Sequence, residues 1–218
     1  GHLSGEGHAA LEVDLRIDLR HALTPLGQVQ RSLENLGSAE TVAARIGDRP
    51  RLGWIISFTA NCLLIQARHA EALETGARAL TIAQELSDEP LQIATRIYMA
   101  RSRLARGECR EAIELLREAL RALDKKPADD FLGLPVLPAT YARSVLAASL
   151  AETGNFREAA AQASDAARRA ISSGQPDSIM WADWSRGLVS LLRGAAGDAV
   201  RIFEHVHDLC RAHDLDAY

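Results

Sequence analysis

The chain has 218 residues, room for one elongated domain or a short array. A formal net charge of −4 gives no electrostatic reason for nucleic acid to bind directly. Cys62, Cys109 and Cys210 are odd in number and scattered, which excludes a disulfide framework and fits a reducing, cytoplasmic setting.

Residues 1–7 are glycine-rich and are expected to be disordered or an expression remnant. A single helical array is expected over 8–218. Its first pair spans about 8–47. The first helix runs from about His8 to Leu23 and carries Leu11, Leu15, Leu19 and Leu23 along one face. Pro25 and Gly27 punctuate it, and a second helix follows from about Gln28 to Ile46. As an end unit, this pair is expected to be atypical.

Asp48-Arg49-Pro50 opens the second pair, about 50–87. Its apolar run Trp54 to Phe58 continues into a helix-length segment, so it is not a strand. Leu52 to Ala67 carries no charge, but Ser57, Thr59, Asn61 and Gln66 interrupt it. It is also shorter than the ~18 apolar residues of a membrane span, so no membrane partner is expected. No secretory signal pattern occurs. Ser87-Asp88-Glu89-Pro90 combines a capping residue, acids and proline, a helix start for the third pair, about 89–126.

The loop 127–138 breaks the pattern with prolines and a glycine, and Phe131, Leu132 and Leu134 are expected to be exposed there. Helices are then expected over about 139–152 and 156–172, a pair within 139–173. Two more follow at about 176–193 and 196–213, a pair within 176–214.

A kernel recurs in the second helix of each pair: Glu71-Ala72-Leu73, Glu111-Ala112-Ile113, Glu158-Ala159-Ala160 and Asp198-Ala199-Val200. Its alanines are spaced 40, 47 and 40 residues apart, the mark of a repeat architecture, with the loop explaining the longer interval. Five residues before each alanine comes a turn position: Ala67, Gly107, Gly154 and Gly194. Twelve before stands a small residue: Ala60, Ala100, Ala147 and Gly187. Small residues at facing positions let helices approach to about 8–10 Å between axes.

Small residues on the first helix, a turn glycine and two alanines on the second resemble the tetratricopeptide repeat. The resemblance covers about residues 50–214 and implies an all-α, right-handed superhelical solenoid of about five antiparallel helix pairs. The period departs from the usual ~34 residues. The aromatic expected late in the first helix is Leu63, Arg103, Leu150 and Ser190 here. A second resemblance rests on Leu15 to Gly27, Gly47 to Gly53 and Phe131 to Pro138. These stretches are similar to the helical-repeat region of bacterial signalling proteins that carry class III cyclase and AAA-type ATPase domains, and of related transcriptional regulators. It implies a regulatory fragment of a larger protein.

Catalytic and metal patterns fail on context. Gly5-x-Gly7-x-x-Ala10 imitates a dinucleotide fingerprint but lacks the preceding strand. His205, His207, Cys210 and His213 match no common zinc spacing. Asp129-Asp130 reads as a solvated turn. No nucleophile elbow occurs, so no catalytic residue, cofactor or metal is expected.

In the tetratricopeptide fold the first helix of each pair lines a concave groove. Carrying its positions over gives Trp54, Ser57, Asn61 and Leu64 in one pair and Ala94, Ile97, Arg101 and Leu104 in the next. The last two pairs give Tyr141, Ser144, Ala148 and Ala151, then Trp181, Trp184, Leu188 and Leu191. Trp54, Asn61, Arg101, Tyr141, Trp181 and Trp184 are the candidate partner-binding residues, because aromatics and Arg make binding hot spots. The competing role for the tryptophans is packing between repeats.

The expected function is a non-catalytic interaction scaffold that binds a protein, a peptide or a neighbouring domain of its own chain. A small-molecule-sensing helical domain controlling an attached ATPase or cyclase is the alternative. Exposed array ends allow a homodimer.

Overall fold

The computed structural model describes residues 5–215 except 25, 128, 129, 133 and 135, with side chains from Gly7 onward. The described residues form ten helices and no strand. They are α1 (Gly5–Leu23), α2 (Val29–Arg45), α3 (Arg49–Ile65), α4 (His69–Glu85), α5 (Glu89–Ala105), α6 (Cys109–Leu123), α7 (Pro138–Glu152), α8 (Phe156–Ser173), α9 (Pro176–Leu192) and α10 (Ala196–Ala212). The periodicity places nearly every boundary within two residues. The exceptions are α1, which starts three residues early at Gly5, and α6, which stops at Leu123.

One local device ends most of these helices. At Gly107 the backbone turns left-handed, with φ at 76°. The Gly107 amide donates to the Leu104 carbonyl at 2.9 Å and the Glu108 amide to the Arg103 carbonyl at 2.9 Å. That 5→2 and 6→1 pair satisfies carbonyls that the helix end leaves open. Ala67, Gly154 and Gly194 repeat it at the three other predicted turn positions, with positive φ in each. Ala67 does so with a Cβ, at φ 58°. Helix starts follow the sequence as well. Asp48 accepts from the Arg51 amide at 3.1 Å and Asp88 from the Leu91 amide at 3.0 Å.

The chain divides into two compact units, one reaching Ser102 and the other beginning at Arg103. In the first, α1 packs on α2, α2 on α3 and α3 on α4. Ile56, Ala79 and Ile82 form one apolar cluster, and Leu63, Leu64 and Ala72 another. Gly53 and Gly76 admit Leu91 and Met99 so closely that a Cβ at either position would lie within 2.7 Å of the incoming side chain.

The leucine stripe of α1 departs from expectation. Leu11, Leu15 and Leu19 are 47%, 59% and 46% exposed, and of the four only Leu23 is buried. The buried face carries Ala9, Val13, Arg20 and Leu23. Val13 lies two residues from Leu11, about 200° around the helix, so the packed stripe is nearly opposite the leucines. Polar bonds fix that register. Arg51 Nε of α3 donates to Asp14 at 2.7 Å, and Asn35 of α2 donates to the Arg16 carbonyl at 2.6 Å.

In the second unit α7 is the central element. It packs on α6, α8 and α9, and every residue except Glu152 is buried. Its one buried cation, Arg143, donates from Nε to Asp165 of α8 at 2.5 Å and from Nη2 to Asp124 at 2.6 Å. The loop before α7 also corrects the sequence reading. Phe131 and Leu132 are half-buried, and Leu134, Val136 and Leu137 are buried. The segment is tied down where the Leu137 amide donates to Ser178 Oγ of α9 at 3.3 Å. At Gly187 the ring of Phe203 comes within 2.7 Å of where a Cβ would sit, so α10 seats an aromatic against a bare backbone. Only Ala199 of α10 is buried.

Candidate interaction surfaces

The repeat register puts Tyr141 of α7 and Trp181 of α9 at the same place, eighteen residues before their kernel alanines Ala159 and Ala199. The fold brings the two rings together, with centroids 4.8 Å apart and planes at 55°. Trp184, one turn further along α9, meets Trp181 edge-on at 5.5 Å and 77°. Offset and edge contacts of this kind suit the aromatic quadrupole. Tyr141 and Trp181 are buried, while Trp184 is half-buried and keeps part of its ring in solvent. Ser144, Ala148 and Ala151 of the same set are buried, Leu188 is half-buried and Leu191 is exposed.

In the first unit Trp54 is half-buried and leans on Phe58, one turn along α3, at 5.4 Å. Asn61, Ser57 and Leu64 are buried, and Thr95 of α5 donates to Ser57 Oγ at 2.9 Å. Ala94 and Ile97 are fully buried, and Arg101 is half-buried. Ser57, Leu64, Ala94, Ile97, Ser144, Ala148 and Ala151 therefore serve the core, whereas Leu191 does not. Trp54, Arg101 and Trp184 reach solvent.

A second buried arginine, besides Arg143, escaped sequence reading. Arg20 is 1% exposed. Its guanidinium lies 4.1 Å from the centroid of the Phe58 ring, and its Nη1 donates to His21 Nδ1 at 3.2 Å, while its Nε has no hydrogen-bond partner. Burial, then the Arg20 charge, holds His21 below its ordinary pKa, with Asp18 opposing. Burial pushes the Cys62 thiol up, opposed by Ser32, to whose Oγ the thiol donates at 3.5 Å, and by the Arg20 charge. The exposed leucines of α1 hid this group, since they imitate a packed stripe and place Arg20 on the supposed wet side.

Among the described residues no three His, Cys, Asp or Glu side chains converge as a metal site. His205 faces Asp183 at 3.6 Å and His207 faces Asp208 at 3.4 Å. Gly5 and Gly7 lie in the first turn of α1. Asp129 lies outside the described residues. Cys62, Cys109 and Cys210 are all free. No helix among the described residues is long and apolar enough to cross a membrane.

No curated protein matches the sequence. Solved structures match the fold. A point variant of a Podosopora anserina putative kinesin light chain, with nearly identical TPR-like repeats, aligns at TM-score 0.65 and 16% identity, over 97% of this chain and 99% of that one. A Rap protein complexed with competence and sporulation factor aligns at TM-score 0.77 and 17% identity, over 94% of this chain and 55% of that one. The apo form of RapI aligns at 0.71 and 15%, over 96% and 54%. The chain thus spans about half the length of the Rap proteins. The tetratricopeptide-repeat family model matches residues 54–125. The turn residues and kernel alanines continue in the same register after that stretch, at Gly154 with Ala159 and Gly194 with Ala199, so the resemblance to the tetratricopeptide repeat extends beyond the matched residues.

Proposed function

We propose that this chain is a non-catalytic scaffold that binds a protein or peptide segment through the solvent-facing residues of its first helices. The observation that carries the reading is the Tyr141–Trp181–Trp184 stack, two buried rings holding a half-buried third. A braced Trp loses little conformational freedom on binding and offers a large apolar edge, the character of an interface hot spot. Trp54 and Arg101 are the corresponding solvent-reaching candidates of the first unit, while Asn61 is buried in α3.

The Rap protein of the same fold was solved with competence and sporulation factor, which supports a protein or peptide as the kind of ligand. The likeness to bacterial cyclase and ATPase regulators makes a neighbouring domain of a longer signalling or transcription-regulatory protein an equally fitting partner. The free cysteines suit a cytoplasmic site of action.

The test is affinity capture from bacterial lysate on the immobilised chain, beside Trp184→Ala and Arg101→Glu, with melting curves for all three. A partner retained by the wild type and lost from the variants supports the reading. Loss of a hot-spot side chain weakens binding by about 2 kcal/mol, roughly thirtyfold in Kd. Equal capture by variants that melt normally would reject the first-helix assignment.

A further inference from the structure

Where pair follows pair, two second helices flank a first helix and leave an open groove above it. The first unit has such a groove of about 470 Å³ over α3, between α2 and α4. The second has one of about 630 Å³ over α9, between α8 and α10. Aligning the kernels at Ala72 and Ala199 superposes their linings. Thr59 becomes Arg186, Glu74 becomes Arg201, and Glu71 becomes Asp198. The groove over α3 is lined by Arg68, Arg78, Glu34, Glu71 and Glu74, a net charge of −1. The groove over α9 is lined by Arg168, Arg186, Arg193 and Arg201 against Asp183 and Asp198, a net charge of +2 with His205 neutral. The frame therefore does not impose a cationic groove. Charge changes at several register positions do, with the gains from Thr59 to Arg186 and from Glu74 to Arg201 outweighing the replacement of Arg78 by His205, in a chain whose overall charge is −4.

We infer that the groove over α9 is a docking site for an acidic peptide segment with interspersed apolar side chains. Three of its cations are held in place: Arg168 on Asp165 at 2.6 Å, Arg186 on Asp183 at 2.7 Å, and Arg201 on Asp198. Held cations lose little freedom when a carboxylate arrives. Arg193 is exposed and forms no ion pair with a described residue, so it is the charge a ligand carboxylate meets first.

Between the charges runs an apolar strip of Ala163, Ala167, Val189 and Ile202, and Ile171 at its edge is 72% exposed. Carboxylates on the arginines and aliphatic side chains on this strip satisfy both features. A nucleic-acid backbone, one phosphate after another, would meet Asp183 and Asp198 as well. The site is separate from the aromatic stack, because Arg186 lies about 200° around α9 from Trp184. It extends the proposed function to a second surface without depending on it.

The test is fluorescence anisotropy with a short fluorescein-labelled peptide of alternating Glu and Leu, and with its Gln counterpart. The proteins are the full chain, Arg193→Glu, Arg193→Glu with Arg201→Glu, and Trp184→Ala. The expected result is salt-sensitive binding of the Glu peptide, weakened about tenfold or more by the double charge reversal and untouched by Trp184→Ala. Both arginines are exposed, and Arg193→Glu breaks no ion pair, so it remains informative if the double variant melts early. Several outcomes each overturn the inference. The wild type could fail to bind, the Gln peptide could bind equally, or a folded Arg193→Glu could keep full affinity. So could displacement of the peptide by a single-stranded oligonucleotide at lower concentration, or a dimer in sedimentation that Arg193→Glu dissolves.

Discussion

Asp165→Asn should destabilise the protein far more than Arg143→Met, although both remove one end of the same ion pair. The Arg143 side chain is 9% exposed, and two carboxylates compensate it, Asp165 at 2.5 Å and Asp124 at 2.6 Å. Its Nη1 is buried without a partner, so the cation has nothing in reserve. Asp165 is 24% exposed and Asp124 54%, so Asp165 supplies most of the low-dielectric attraction. Removing it leaves the guanidinium only Asp124, the more exposed and more weakly acting carboxylate. Breaking a buried pair from one side costs about 3–5 kcal/mol, and partial exposure of Asp165 places the cost near the lower end, about 3 kcal/mol. For a chain of this length that lowers Tm by roughly 6–12 °C. Arg143→Met removes the buried charge itself and leaves Asp165 paired with Arg168 at 2.6 Å and Arg169 at 3.0 Å, at a cost of about 1 kcal/mol or less. Urea unfolding of both singles and the double variant closes a thermodynamic cycle, with an expected coupling of about 2 kcal/mol. A cost below about 1 kcal/mol for Asp165→Asn, or singles that simply add, would refute the account of Arg143 as a compensated buried cation.

Ala112→Asp should cost more than about 4 kcal/mol, because Ala112 is fully buried and a carboxylate there would be taken out of water between packed helices. A loss in calorimetry no larger than that of a surface substitution would contradict the kernel's placement. Ala67→Gly should stabilise by about 1 kcal/mol, since an L residue at φ 58° bears a steric penalty that glycine avoids, and the expected rise in Tm is about 2–4 °C. An unchanged or lower Tm would remove strain from the description of that turn. His21 is held below its ordinary 6.5, so the unfolded chain binds its proton more readily. Its contribution to stability is full above about pH 6.5 and falls as acid takes the pH through that value toward the lower folded pKa. Denaturant midpoints across this window should slope with pH in the wild type and flatten in His21→Phe.

Local chemistry made most of the helix boundaries readable. A left-handed turn residue, two amide bonds back into the helix and an alanine five positions on are all encoded within about a dozen residues. The adjacency of Tyr141 and Trp181 was readable for the same reason, since a repeat register turns a sequence offset into a spatial one. The two buried arginines were not readable. Arg143 needs Asp124 and Asp165, nineteen and twenty-two residues away on different elements, and no periodicity announces a compensated charge. Arg20 was hidden by Leu11, Leu15 and Leu19, whose spacing is a sound helix signal that says nothing about which neighbour a helix faces. The loop leucines were misjudged because prolines mark a break in the helix, not a break in burial.

The two grooves show where specificity resides in such a chain. Ala72 and Ala199 are both buried and interchangeable in role, as are the turn residues Ala67 and Gly194. These positions set how helices meet, and a charge at the buried ones would cost several kcal/mol. Two residues past each kernel alanine, Glu74 and Arg201 are both exposed. Exchanging sign there is worth only tenths of a kcal/mol to stability. The same exchange changes the field over the groove by two elementary charges, enough to reverse which ligands are attracted. Stability and recognition are thus written in different register positions. The fold is shared with other proteins at 15–17% identity, and a shared fold leaves the chemistry of each groove to the residues that line it.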